Sequence, residues 1–210
     1  MTDEPVVFVI DDNRSVREAI TSLLASIGLG AATFETAEEF LNASRPDAPA
    51  CIVLDVRLPG LSGLDLQQVL LTAGQPLPIV FITGHGDVPM SVQAMQSGAV
   101  EFLLKPFREQ QLLDAIQRAL ARHRGERERV AAIGDLYQRY QTLTPREREV
   151  MRYVVTGLLN KQIATKLRMS EVTVKVHRGR VMEKMKVGSL PELVRAADRL
   201  SQVYPGHTNV

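Results

Sequence analysis

Five side chains in the first half of the chain are of types that handle phosphate and cations, and each stands at the end of an apolar run. Asp11 and Asp12 follow Val6–Ile10, Asp55 follows Cys51–Leu54, Thr83 follows Ile79–Ile82, and Lys105 follows Phe102–Leu104. Carboxylates gathered together repel, and burial raises their pKa, so three that converge need a cation. A few carboxylates with water suit Mg²⁺, which keeps part of its hydration shell and favours phosphate oxygens. Thr83 adds a hydroxyl and Lys105 a mobile point charge. A nucleophilic carboxylate, a metal and a lysine are the parts needed for phosphoryl transfer onto aspartate, with Lys105 and Thr83 holding the product. No Gly-rich loop of the Walker type occurs, so nucleotide binding is not expected.

Taken singly, these residues have plainer readings. An acidic pair after a strand is often a helix N-cap or a turn. Asp55 before Val-Arg-Leu-Pro-Gly suits turn chemistry, and Lys105-Pro106 suits a loop. Standing in order at the ends of successive runs, they point to one site. The elements that would position them follow from the pattern. The runs Val6–Ile10, a weaker Ala31–Phe34, Cys51–Leu54, Ile79–Ile82 and Phe102–Leu104 are apolar on consecutive residues, as in parallel strands covered on both faces. Helix-like segments lie near 15–27, 37–43, 64–72, 88–97 and 107–124, with Thr36 and Glu39 forming a capping-box start. Five strand–helix repeats predict an α/β doubly wound (βα)5 parallel sheet with right-handed crossovers. In the flavodoxin-like strand order 2-1-3-4-5, strands 1 and 3 adjoin and the crevice opens between them, so Asp11, Asp12 and Asp55 converge without special assumption.

The chain has 210 residues and a mass of 23.2 kDa, more than the ~100–150 residues usual for one domain, so two domains are expected. With 45% hydrophobic and 23% charged residues, wholesale disorder is excluded. The start is acidic and lacks the apolar stretch of a signal peptide. No apolar run approaches the roughly 20 residues that cross a bilayer. A single cysteine, Cys51, excludes an internal disulfide, a multi-thiolate zinc site and an iron–sulfur cluster. A cytoplasmic protein with no membrane partner is expected. The net charge of +1 hides an asymmetry. Residues 1–124 carry 9 basic and 15 acidic residues, and residues 125–210 carry 16 and 9. An acidic front half joined to a basic back half reads either as two jobs, the second facing a polyanion, or as two unevenly charged solvated surfaces.

The back half is all-α by pattern. Residues 125–141 read as a helical linker, and Val130, Ile133, Tyr137 and Tyr140 form a stripe that could pack on a neighbour or form a short coiled coil but suits a semi-rigid spacer helix better. Thr144-Pro145-Arg146-Glu147 starts a helix with an N-cap, Pro at N1 and Glu at N3, and Gly157 should stop it. Asn160 is the expected cap of a helix near 161–167, Ser170 of one near 171–185, and Ser189-Leu190-Pro191-Glu192 starts a fourth. The segments "NKQIATKL", "RMS" and "EVTVKVHRGRVMEKM" fit a helix-turn-helix. In its last helix Val174, Val181 and Met185 share a core face, while Val172, Lys175, Val176, Gly179, Arg180 and Glu183 share the opposite one. That face is mixed and basic, with small groups that allow close approach, as a major-groove helix needs. His177 and Arg178 flank the core stripe, and Lys161, Lys166 and Lys184 could reach phosphates. Charge alone would leave this a solvated surface.

Residues 6–122 closely resemble the receiver domain of two-component response regulators, through "FVIDDN", "CIVLDVRLPGLSGLDL", "IVFITGHGD" and "AMQSGAVEFLLKPF". The resemblance implies that Asp55 accepts phosphate from a sensor histidine kinase. It implies that Asp11, Asp12, Asp55 and the main-chain carbonyl of Arg57 hold Mg²⁺, and that Thr83 and Phe102 are a switch pair. It also implies a cis Lys105–Pro106 bond, against a base rate of ~5% for X–Pro. Gly84 is small enough to keep the site open, and Arg57 and His85 stand where receivers vary. The segment "LTPREREVMRYVVTGLLNKQIATKLRMSEVTVKVHRGRVMEKMKVGS" is similar to the LuxR-type four-helix DNA-binding domain of the NarL/FixJ class. That likeness implies double-stranded DNA as partner and dimers on paired promoter half-sites, with RNA polymerase an open candidate. Lys175, Val176 and His177 would lie at the DNA, with Lys161, Arg178 and Arg180 beside them. Gly179 departs from relatives that often carry a basic or polar contact there. The expected division is a receiver over 1–124, a linker over 125–141 and a DNA-binding domain over 142–210. The rivals are a Mg²⁺-dependent phosphatase or phosphotransferase, and a scaffold that binds no DNA.

Overall fold

The computed structural model describes residues 4–84 and 88–204, so His85 lies outside the described residues. The chain forms two compact units, Met1–Arg127 and Glu128–Val210. In the first, strands β1 (Val6–Ile10), β2 (Gly30–Phe34), β3 (Ala50–Asp55), β4 (Ile79–Thr83) and β5 (Glu101–Leu104) alternate with helices α1 (Arg14–Ser26), α2 (Ala37–Asn42), α3 (Gly63–Thr72), α4 (Val88–Gln96) and α5 (Glu109–Gln141). The sheet is parallel, in the order β2-β1-β3-β4-β5.

The consecutive apolar runs serve two faces at once. Phe8, Ile10, Ile52, Leu54 and Phe81 pack with Phe40, Leu66 and Ala94 from α2, α3 and α4. Val7, Val9, Cys51, Val53, Val80 and Ile82 pack with Ile20, Leu24, Leu112 and Ile116 from α1 and α5. β2 reads weakly because it is an edge strand with no fully buried residue. Register fixes the edge that matters. Ile10 pairs with Phe34 and Leu54, Asp55 with Ile82, and Thr83 with Leu104. The residues that leave these strands therefore emerge side by side.

The helix expected over 107–124 and the linker expected over 125–141 are one continuous helix of 33 residues. In the second unit α6 (Pro145–Val155), α7 (Asn160–Leu167), α8 (Glu171–Met185) and α9 (Leu190–Val203) surround Val150, Val154, Ile163, Val174, Val181, Met185, Leu193 and Leu200. Tyr140 is buried in that core, and Tyr137 stacks on Tyr204 at 4.0 Å. The end of the expected spacer stripe is thus core of the second unit, while Val130 stays exposed. Thr144 and Glu147 make a reciprocal capping box. Gly157 follows α6 at φ +82°, where a side chain would strain the backbone. Asn160 is not the cap of α7. It is the helix's first residue, and Gln162 Oε1 instead accepts from the Leu159 N–H at 2.8 Å. Among the described residues no helix is long and apolar enough to cross a membrane.

Candidate functional site

Asp11, Asp12 and Asp55 each offer a carboxylate oxygen, and these oxygens lie within 4.8 Å of one another. Asp11 is fully buried, Asp55 is 7% exposed, and Asp12 faces solvent. Lys105 leaves β5 across the sheet, and its Nζ donates to Asp11 Oδ2 at 2.6 Å and to Asp55 Oδ2 at 2.7 Å. Its backbone N–H donates to the Thr83 carbonyl at 2.7 Å, and the Lys105–Pro106 bond is cis. Thr83 is buried at the end of β4, one residue beyond the partner of Asp55. Arg57 is exposed, and its N–H donates to Asp55 Oδ1 at 2.9 Å. A Cβ at Gly84 would meet open space. Phe102 is half-buried, with its ring centroid 6.1 Å from that of Phe81.

The electrostatics follow from burial and pairing. Burial pushes the Asp11 carboxyl above its ordinary value, even against the lowering hydrogen bonds from Lys105 and the Asn13 backbone N–H. Burial alone would lower Lys105, but hydrogen bonds to Asp11 and Asp55 outweigh it and raise its pKa. The acidic pair is not a helix cap. Asn13 caps α1, its Oδ1 accepting from the Ser15 N–H at 2.9 Å, and its own N–H goes to Asp11 Oδ1. Three hard oxygen donors, one of them open to water, fit a small divalent cation that keeps part of its hydration shell.

Three supporting contacts escape sequence reasoning. Arg17 on α1 donates to the Asp11 and Asp12 carbonyls at 2.5 and 3.1 Å, pinning the backbone of the pair. Gly63 opens α3 so close behind Asp55 that a Cβ would stand 2.3 Å from the Asp55 carbonyl oxygen. Glu147, 1% exposed, accepts from Lys184 Nζ at 2.6 Å. The sequence marks Gly63 only as one of the glycines after Asp55 and Glu147 only as the N3 residue of a capping box, because the contacts themselves form when the elements fold.

In the second unit the exposed face of α8 holds Val172, Lys175, Val176, Gly179, Arg180 and Glu183, and Val174, Val181 and Met185 are fully buried. Ser170 caps the helix, its Oγ accepting from the Thr173 N–H at 3.0 Å. Lys161 on α7 is exposed. His177 and Arg178 are half-buried on the flank. Arg178 Nη1 donates to Asn160 Oδ1 at 3.2 Å and so ties α8 to α7. Lys184 also donates to the Thr142 carbonyl, so its charge is directed inward at Glu147 rather than outward. Lys166 sits over the Tyr153 ring at 5.7 Å.

A doubly wound receiver fold with a carboxylate triad and a lysine at its carboxyl edge, followed by a helix-turn-helix, defines a class. A family model for the response regulator receiver domain matches residues 7–117, and one for the luxR family of bacterial regulatory proteins matches residues 141–197. The chain belongs to the response regulators that join these two domains, and is a transcription regulator rather than an ordinary enzyme. Among its relatives are nodulation protein W of Bradyrhizobium diazoefficiens, 49% identical over 97% of this chain and 89% of that protein. The response regulator protein TodT of Pseudomonas putida is 47% identical over 93% of this chain and 86% of that protein. The solved structure of the response regulator StyR is 48% identical, with a TM-score of 0.83 over 93% of this chain and 99% of that one.

Proposed function

We propose that the front unit is a phosphoacceptor switch and the back unit its DNA-reading output. The observation that carries this reading is the convergence of the Asp11, Asp12 and Asp55 oxygens within 4.8 Å under a lysine that touches two of them. A sensor histidine kinase donates the phosphoryl group. An Asp55 carboxylate oxygen forms the new bond to phosphorus as the phosphorus–nitrogen bond of the kinase's phosphohistidine breaks. Asp11, Asp12, Asp55 and the Arg57 carbonyl would hold Mg²⁺, which supplies positive charge to the phosphoryl oxygens. Lys105 balances the added negative charge, and Thr83 offers its hydroxyl from the neighbouring strand. Thr83 moving toward the phosphoryl group lets Phe102 turn inward, which reshapes the surface around α4, β5 and α5.

That surface changes dimerisation, DNA binding or both. Lys161, Lys175, Val176, His177, Arg178 and Arg180 meet double-stranded DNA, and two linked units on paired half-sites gain affinity through effective concentration. The protein works in the cytoplasm, divided as receiver over 1–124, helical linker over 125–141 and DNA-binding domain over 142–210. Beryllofluoride with Mg²⁺ mimics the phosphorylated state. Adding both to the full chain should change its size in solution, its affinity for duplex DNA, or both, and Asp55→Asn should abolish the response. No change in either quantity removes the switch.

A further inference from the structure

α8 carries an apolar group that the fold does not use. Val172, the second residue of the helix, is 73% exposed, and Val176, one turn on, is 48% exposed. Val172 belongs to none of the hydrophobic cores. A β-branched side chain in a first helical turn is a poor choice for helix stability, where acidic or small polar residues do better. Neither packing nor propensity accounts for it. Its surroundings are cationic and open. Lys175 and Arg180 are exposed on the same face, and at Gly179 a Cβ would meet empty space.

A polyanion held by Lys175 and Arg180 would come directly against this face. The N-terminal residues of a recognition helix are those that meet base edges, and Val172 lies in the first turn. Valine has no donor or acceptor, so it answers neither phosphates nor the polar groups of the bases. The apolar feature that a major-groove edge presents is the C5 methyl of thymine. A second copy of the same face would set like charges against each other, which favours the nucleic acid as occupant. We propose that Val172 is a specificity-determining residue that packs on the 5-methyl group of a thymine in each half-site, beside the contact given to Val176. The inference rests on α8 being the DNA-reading helix.

Replacing thymine by uracil deletes that methyl group and nothing else. The full-length chain, with beryllofluoride and Mg²⁺, selects duplexes from a random-sequence pool. Each thymine of a selected duplex is then replaced in turn by uracil, and binding is measured for wild type and Val172→Ala. Alanine is the better helix former, so the variant folds, which circular dichroism checks. At one thymine per half-site, uracil should weaken wild type about fourfold, the value of one buried methyl group, and leave V172A unaffected. V172A should bind the all-thymine duplex weaker by the same factor. A uracil scan that is identical for wild type and V172A overturns the inference while DNA binding, and its weakening in Lys175→Ala, still stands. Failure to enrich any duplex overturns the inference and the DNA-reading assignment together.

Discussion

Asp11 has no access to solvent, and burial holds its carboxyl above the ordinary value despite two lowering hydrogen bonds. A carboxyl raised in this way favours folding below its ordinary pKa and opposes it as pH rises through the folded value. At neutral pH, without metal, the group therefore works against the fold. Asp11→Asn should raise the metal-free stability of the front unit, because it removes the buried charge while Lys105 keeps Asp55 as partner. A cation bound only by the folded state stabilises it by about 2.7 kcal/mol at one hundred times its dissociation constant. Wild type should gain thermal stability from Mg²⁺ and the variant should not. Thermal melts with and without Mg²⁺ check both statements, and an equal Mg²⁺ response in the two proteins would contradict the ligand assignment.

At the scale of elements, the pair of buried Glu147 and half-buried Lys184 joins the start of α6 to the end of α8. Burial raises Glu147, but hydrogen bonds from Lys184 and the Thr144 backbone N–H outweigh it and hold its carboxyl below the ordinary value of 4.5. A depressed carboxyl contributes stability that is present above its ordinary pKa and lost as pH falls through the folded value. The back unit should therefore lose stability below about pH 4.5 more steeply in wild type than in Glu147→Gln, as urea unfolding across pH would show. Glu147→Ala should cost about 2–3 kcal/mol at neutral pH, through the lost cap and the lost charged hydrogen bond. Gly125 and Gly134 lie inside α5 with open space at the Cβ position. Gly134→Ala should stabilise the helix by about 1 kcal/mol. Gly63→Ala has the opposite sign, because its Cβ would collide with the Asp55 backbone rather than with a side chain that can swing away. Chemical denaturation separates the two signs.

For the whole molecule, charge is divided between the front and back halves of the chain. The basic residues exceed the acidic ones by 7 over 125–210, and the acidic exceed the basic by 6 over 1–124. The basic half should bind duplex DNA with an affinity that falls steeply with salt, because phosphate contacts release counterions. Lys175→Ala should weaken binding and reduce the slope of log affinity against log salt by about 1. Affinities of the full chain measured across a salt series check this, and a slope near zero would return the back half to a scaffold.

Much of this was legible in the sequence, because the signals are local. Consecutive apolar runs mark strands buried on both faces, and the caps at Thr36, Thr144, Ser170 and Ser189 need only neighbours three residues away. The resemblance to receivers and LuxR-type domains fixed the class, and the strand order then placed Asp11, Asp12 and Asp55 at one edge. Local signals misled where two functions overlap in one segment. The linker stripe suited a spacer better than packing on a neighbour, although Tyr140 is core, and Asn160 looked like a cap, although it receives Arg178. Tertiary structure alone decided that Lys105 bridges Asp11 and Asp55, that Lys184 turns inward to Glu147, and that Gly63 must lack a Cβ. Each joins residues 8 to 94 positions apart. Spacing along a chain fixes which face of an element a residue occupies, but only packed elements fix which atoms then meet across them.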